Sequence, residues 1–160
     1  MKISQSYSGL QKILHWAVVL TFAFNYVVSD GMGRALRTFT ETGVNDSTTA
    51  KLHVIVGVTT LVLMILRLLV RLIQGAPALP PAPHPLMEKA AHGVHFLLYA
   101  AMIATPAAGG AAWFLGIHDA GDVHEVLVNL TILLIVAHVA AALYHQFILK
   151  DNLLKRMAPH

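Results

Sequence analysis

The stretch HEVLVNLTILLIVAH, residues 124 to 138, is a largely apolar run closed at each end by a histidine. The two imidazoles are 14 positions apart, and at about 100° per residue that is nearly four whole helical turns, so His124 and His138 share one helix face. At about 1.5 Å of rise per residue they are separated by roughly 21 Å along the axis. A bilayer's hydrocarbon core is about 30 Å thick, so the pair marks two depths on one side of a membrane helix.

Composition supports that setting. Of the 160 residues 56% are apolar and only 12% charged, against about 25% charged in an ordinary soluble domain, and a membrane protein is the class that fits. The absence of cysteine excludes disulfides, thiolate-ligated iron–sulfur clusters and covalently attached c-type haem. Ten histidines are then the main pool of metal ligands.

Four apolar segments approach or reach spanning length: Ile13 to Val28, Leu52 to Ile73, Val94 to Leu115 and Val123 to Leu149. The first is short, so its helix is expected to begin earlier, near Ser8. Its flank VVSDGMG lacks a small-residue cleavage site, and it reads as a retained span rather than a secretory signal. An even number of spans puts both termini on one side. That side carries Lys2, Lys12, Arg67, Arg71, Lys89, Lys150, Lys155 and Arg156, against Arg34, Arg37 and Lys51 opposite, eight to three. Basic residues accumulate on the cytosolic face, so the expectation is an all-α, four-helix transmembrane bundle, one domain over residues 1–160, with both termini cytosolic. Asp30, Glu41, Asp46, Asp119, Asp122 and Glu125 fall on the outer side. The basic balance is therefore an orientation signal and gives no support for a nucleic-acid partner.

The outer segment from Ser29 to Thr49 reads as a polar loop, and GAPALPPAPHP, with five prolines, as an extended cytosolic connector. The short GIHDAGD turn makes the last two helices antiparallel neighbours. Pro106 is expected to kink the third span. The small residues Ala107 to Ala112 narrow it, either for close packing or to make room for a flat ligand.

The histidines sort by depth. His53 and His124 open their spans from outside. His15, His92, His95, His138 and His145 lie in the cytosolic half, while His84, His118 and His160 read as solvated loop or tail residues. Imidazoles in hydrocarbon need partners, and two from facing helices with a gap between them suit axial ligation of a b-type haem. Zinc or copper prefers three or four close ligands, often with carboxylate or thiolate. No acid lies among the inner histidines, which weakens a metal site or a proton relay; structural hydrogen bonding is the remaining alternative. His53 and His124 pair by elimination. Five imidazoles compete for the inner level, and spacing lets His15 match His145 at least as well as His138.

Five elements in order then carry a resemblance: LHW at Leu14 to Trp16, LHVIVGVTTLVLMILRLLVRL from Leu52, HGVH in the third span, the HE…AH pair of the fourth, and the closing KDNLLKRMAP. The chain resembles, nearly end to end, the bacterial cytochrome b561 family of small four-helix di-haem proteins, and within it the members described as superoxide oxidases. The resemblance implies two haems b, with His15 and His138 on the iron of the cytosolic-side haem and His53 and His124 on that of the periplasmic-side one. It implies electron flow from superoxide to ubiquinone in the bacterial inner membrane, and it is the resemblance that chooses His138 over His145. His92, His95 and His145 are left as candidates for contacts around the haem or with quinone, and Arg67 for a propionate or quinone. Arg71 reads as snorkelling to headgroups, and Trp16 and Trp113 as interfacial anchors. Arg34, Arg37 and Lys51 suit steering of an anion, opposed by the six outer acids. The rival readings are a b-type subunit relaying electrons between quinone and a partner dehydrogenase or hydrogenase, and a colourless metal or proton transporter.

Overall fold

A computed structural model describes residues 6–78 and 84–158. Among them every regular element is helical: α1 (Gly9–Val27), α2 (Met32–Thr42), α3 (Thr48–Gln74), α4 (Pro85–Leu115) and α5 (His118–Tyr144). A π-helical turn, His145–Leu149, and a 3-10 turn, Leu153–Arg156, follow α5.

Local signals place the ends. Ser8 caps α1 in a reciprocal box, its hydroxyl accepting from the Gln11 N–H while the Gln11 side chain accepts from the Ser8 N–H. The first helix thus starts where the sequence places it. Ser47 caps α3 through the Ala50 N–H, and His84 caps α4, its Nδ1 accepting from Leu86 N–H. His84 is exposed, as expected of a loop residue; His118 is exposed too, but it opens α5 rather than lying in a loop. The proline-rich connector is only partly visible, since residues 79–83 lie outside the described residues. α4 begins nine residues before the apolar run at Val94 and continues as one element through Pro106.

Residues 32–42 correct the polar-loop reading. Met32, Ala35, Leu36 and Phe39 repeat at helical spacing and form the less exposed stripe of α2. Gly31 and Gly43, at φ of 78° and 71°, cap its two ends in the left-handed conformation. The stripe docks where α4 ends and α5 begins: Phe39 stacks on Trp113 with ring centres 4.9 Å apart, and Leu36 reaches the backbone at Gly121. Trp113 is therefore a docking residue for α2.

The long helices pack in chain order, α1 on α3, α3 on α4, and α4 on α5. Between α4 and α5 the buried contact is made by small and hydroxylic residues. The Thr105 and Thr131 hydroxyls lie 3.2 Å apart, and each bonds the carbonyl four residues earlier, Ala101 and Leu127. Such side chains let two backbones approach closely without leaving polar groups unsatisfied. Large apolar side chains point the other way, with Leu20, Ile73 and Phe96 each about 70–80% exposed. That inside-out distribution suits hydrocarbon rather than water. α3, α4 with its start at Leu86, and α5 with the turn to Leu149 are each long and apolar enough to cross a membrane. α1 qualifies only jointly with α2, across a bend of 78°.

Both described chain ends meet at one end of the helices. Ser6 Oγ and Tyr7 N–H donate to Arg156 O, the Trp16 indole N–H to Met157 O, and Arg156 to Ala78 O. The C-terminal strap thus ties α1, the segment after α3 and α5 together, and Trp16 is one of its fasteners.

Candidate functional site

At the end nearest α2, the sequence pair His53 and His124 comes together. Their ring centres are 6.3 Å apart with planes 79° to each other. A metal–imidazole bond is about 2 Å, and adding about 1 Å from nitrogen to ring centre on each side gives roughly 6 Å for two rings sharing one metal. Each ring is held by its Nδ1, at 3.0 Å from Val28 O and 2.7 Å from Thr105 O. A backbone carbonyl only accepts, so both Nδ1 atoms carry the proton and both Nε2 atoms keep a free lone pair, as metal-ligating imidazoles require.

The surroundings explain how those carbonyls are reached. Thr105 O belongs to α4, and Gly109 lies one turn further on, where a Cβ would come within 2.9 Å of His124 Nδ1. The missing side chain is what lets the imidazole approach the helix. Asn25 Nδ2 donates to His53 O, and Gly57 leaves the space for that amide. Replacing Gly109 by alanine is expected to displace His124, cost about 1–3 kcal/mol through overpacking, and lower bound haem per chain; thermal unfolding and a pyridine haemochrome assay measure both.

At the opposite end the structure redistributes the inner histidines. His95 packs edge-on against His138 at 5.3 Å between ring centres. His15 sits within electrostatic range of His138, His95 and Arg67 and has its ring against Trp16. His145 pairs with Asp151, six residues on, whose Oδ2 is 2.6 Å from its Nδ1. His92 points outward, mostly exposed, 3.9 Å from Glu88. It lies one turn nearer the helix start than His95 and is rotated about 60° from it, which turns it away from the packed side.

Arg67 Nε donates to the Tyr99 hydroxyl at 3.1 Å, and the guanidinium groups of Arg67 and Arg71 both lie within 6 Å of the Tyr99 ring centre. Arg71 thus packs on Tyr99 instead of simply reaching outward. One nitrogen of Arg67, Nη1, is buried without a hydrogen-bond partner. An orphaned guanidinium N–H inside an apolar protein is expensive and matches a carboxylate or carbonyl ligand. A cavity of about 520 Å³ opens between the starts of α4 and the end of α5, lined by His95, His138, Tyr144, His145, Glu88, Leu153 and several alanines.

Among the described residues no three His, Cys, Asp or Glu side chains cluster to hold an ion. Paired imidazoles are what is present, and a pair suffices for an iron already held in a porphyrin plane. The residues therefore fit haem. Asn25, Tyr99, Thr105, Gly109 and Asp151 carry no site signal in the sequence: Asn25, Tyr99, Thr105 and Gly109 lie within apolar segments, and Asp151 within KDNLLKRMAP, but nothing in their spacing marks a role.

The family model described as prokaryotic cytochrome b561 matches residues 6–160. The chain is 36% identical to a protein named cytochrome b562 from Cereibacter sphaeroides, over 94% of each chain. It is 31% identical to the probable superoxide oxidase CybB of Yersinia pestis, over 97% of each. It is also 30% identical to cytochrome b561 homolog 1 of Escherichia coli, over 96% of this chain and 97% of that one.

Proposed function

We propose a transmembrane electron carrier with two haems b, because this chain belongs to the prokaryotic cytochrome b561 family of haem-binding membrane electron-transfer proteins and places its histidines at two levels. The chain spans the bacterial inner membrane four times, with both termini in the cytosol. The observation that carries the reading is the His53–His124 pair, 6.3 Å apart and each anchored through Nδ1 to a backbone carbonyl. These two hold the periplasmic-side haem; His15 and His138 hold the cytosolic-side one. The 5.3 Å separation of His95 and His138 is too short for one metal between the two rings, which favours His15 as the partner. Bound haem supplies a one-electron store on an iron that changes little in geometry between its two oxidation states.

The chain's own residues do the rest. The Val28 and Thr105 carbonyls orient the outer ligands and raise their basicity. The free Nη1 of Arg67 receives an anionic propionate or a quinone oxygen. The cavity at the strap end, lined by both His138 and His145, has the size and apolar lining of a small-molecule site; we assign its part beside His145 to the ubiquinone headgroup, next to the haem that His138 would hold. The electron donor is periplasmic superoxide, as the name of the Yersinia pestis relative suggests. Arg34 and Arg37 are exposed on α2 at the outer end, where they steer the anion. Two superoxide ions each give one electron, and ubiquinone becomes ubiquinol.

The test is stopped-flow mixing of purified, haem-loaded protein with superoxide and a ubiquinone analogue. Haem reduction followed by quinol formation above the spontaneous rate is expected. Haem-replete protein that yields no quinol from superoxide, but is reduced through a copurifying dehydrogenase or hydrogenase, would overturn the superoxide assignment in favour of a relay subunit.

A further inference from the structure

The structure assigns a second task to the strap end: we infer that His145 and Asp151 form a proton-donating dyad for the ligand of the neighbouring cavity. The inference rests on the ubiquinone reading above and deepens it.

Three observations on the molecule carry it. The pair is short, 2.6 Å from His145 Nδ1 to Asp151 Oδ2, and sheltered, with side chains 15% and 19% exposed. Asp151 is also held on its other oxygen, Oδ1, by the Leu153 N–H at 3.0 Å. Second, the backbone departs from α-helix to build the pair. His145 begins the π-helical turn, and the residues on either side of Asp151, Lys150 and Asn152, both adopt left-handed conformations at φ 55° and 59°. Asparagine adopts this conformation readily, but Lys150 does not, so its backbone is strained, and such strain persists where surrounding structure holds it, often at functional sites. Third, His145 lines the cavity. With Nδ1 committed to the carboxylate, Nε2 is the nitrogen available to a ligand there.

The chemistry balances. Two superoxide ions lose one electron each and leave as dioxygen; the quinone gains two electrons and two protons. One proton comes from His145 in its imidazolium form, with Nδ1–H kept on the Asp151 carboxylate: its Nε2–H bond breaks, an O–H bond forms on the facing quinone oxygen, and the pair is left as neutral imidazole and carboxylate. Cytosolic water reprotonates His145 and supplies the second proton. The other titratable groups lining the cavity beside His145 are His138 and Tyr144 on α5 and Glu88 and His95 on α4. Asp151 acts through His145 and is a positioning residue.

Asp151→Asn keeps the shape and the Leu153 contact while removing the carboxylate. It is expected to slow superoxide-driven reduction of decylubiquinone by about tenfold or more and to change the pH profile of that reaction. Decylubiquinone binding by equilibrium dialysis, the haem spectrum, and electron delivery to ferricyanide, which takes no proton, stay at wild-type values. Asp151→Glu restores most of the rate, and His145→Gln reproduces the defect. Wild-type rate and pH profile in both Asp151→Asn and His145→Gln would overturn the dyad. So would equal losses with quinone and ferricyanide, which indicate a purely structural strap. Failure of the wild-type protein to reduce decylubiquinone would instead overturn the reading on which the dyad rests.

Discussion

Replacing His124 by alanine is expected to take the haem content from about two to about one per chain, because on the proposed reading His124 would be one of the two residues holding the outer haem. The residual haem is expected to keep a reducible alpha band, since the histidines proposed to hold it lie at the far end of the helices. His53→Ala is expected to give the same count and the same residual spectrum, because both variants empty one site. A cofactor present at a thousand times its dissociation constant stabilises by about 4 kcal/mol, and for a chain of this size that is roughly 10 °C in unfolding temperature. The measurement is a pyridine haemochrome assay on the purified variants beside a thermal scan. Two haems remaining in either variant would break the pairing, and with it the reading of 6.3 Å as a ligation distance.

The second large effect separates His138 from His145. His138→Ala is expected to lose the cytosolic-side haem, again from about two to about one, and to abolish transfer to quinone. His145→Ala is expected to keep both haems and to lose only the proton-coupled step, because Asp151 occupies its Nδ1 and its role lies at the cavity. The checks are the same haemochrome assay and the quinone and ferricyanide rates. The reverse result, haem lost with His145 and kept without His138, would make His145 the inner ligand and reassign the cavity.

The helices were legible for a simple reason. Apolar length is a one-dimensional property, and the runs in α3, α4 and α5 need no knowledge of neighbours. α2 escaped notice because its apolar stripe of Met32, Ala35, Leu36 and Phe39 is diluted by Arg, Thr and Glu. What makes it a docked helix is a partner, Trp113, more than seventy positions away. The outer site was half legible: depth paired His53 with His124, yet nothing in the order of residues announced that Val28 and Thr105 would offer the carbonyls that set both tautomers. Gly109 stood in a run of small residues with several equivalent readings, and only the 2.9 Å approach to His124 singles it out.

By itself the sequence determined an all-helical membrane chain, its family, the two depths of its histidines and the partnering of the outer two, because these follow from period, length and residue order. Tertiary structure decided what sits beside what at the inner end, where five histidines were equivalent by depth: His92 outward, His95 against His138, His145 on Asp151. Helix rotation and the return of the C-terminal strap make those choices, and both depend on how distant segments pack, which no local spacing encodes.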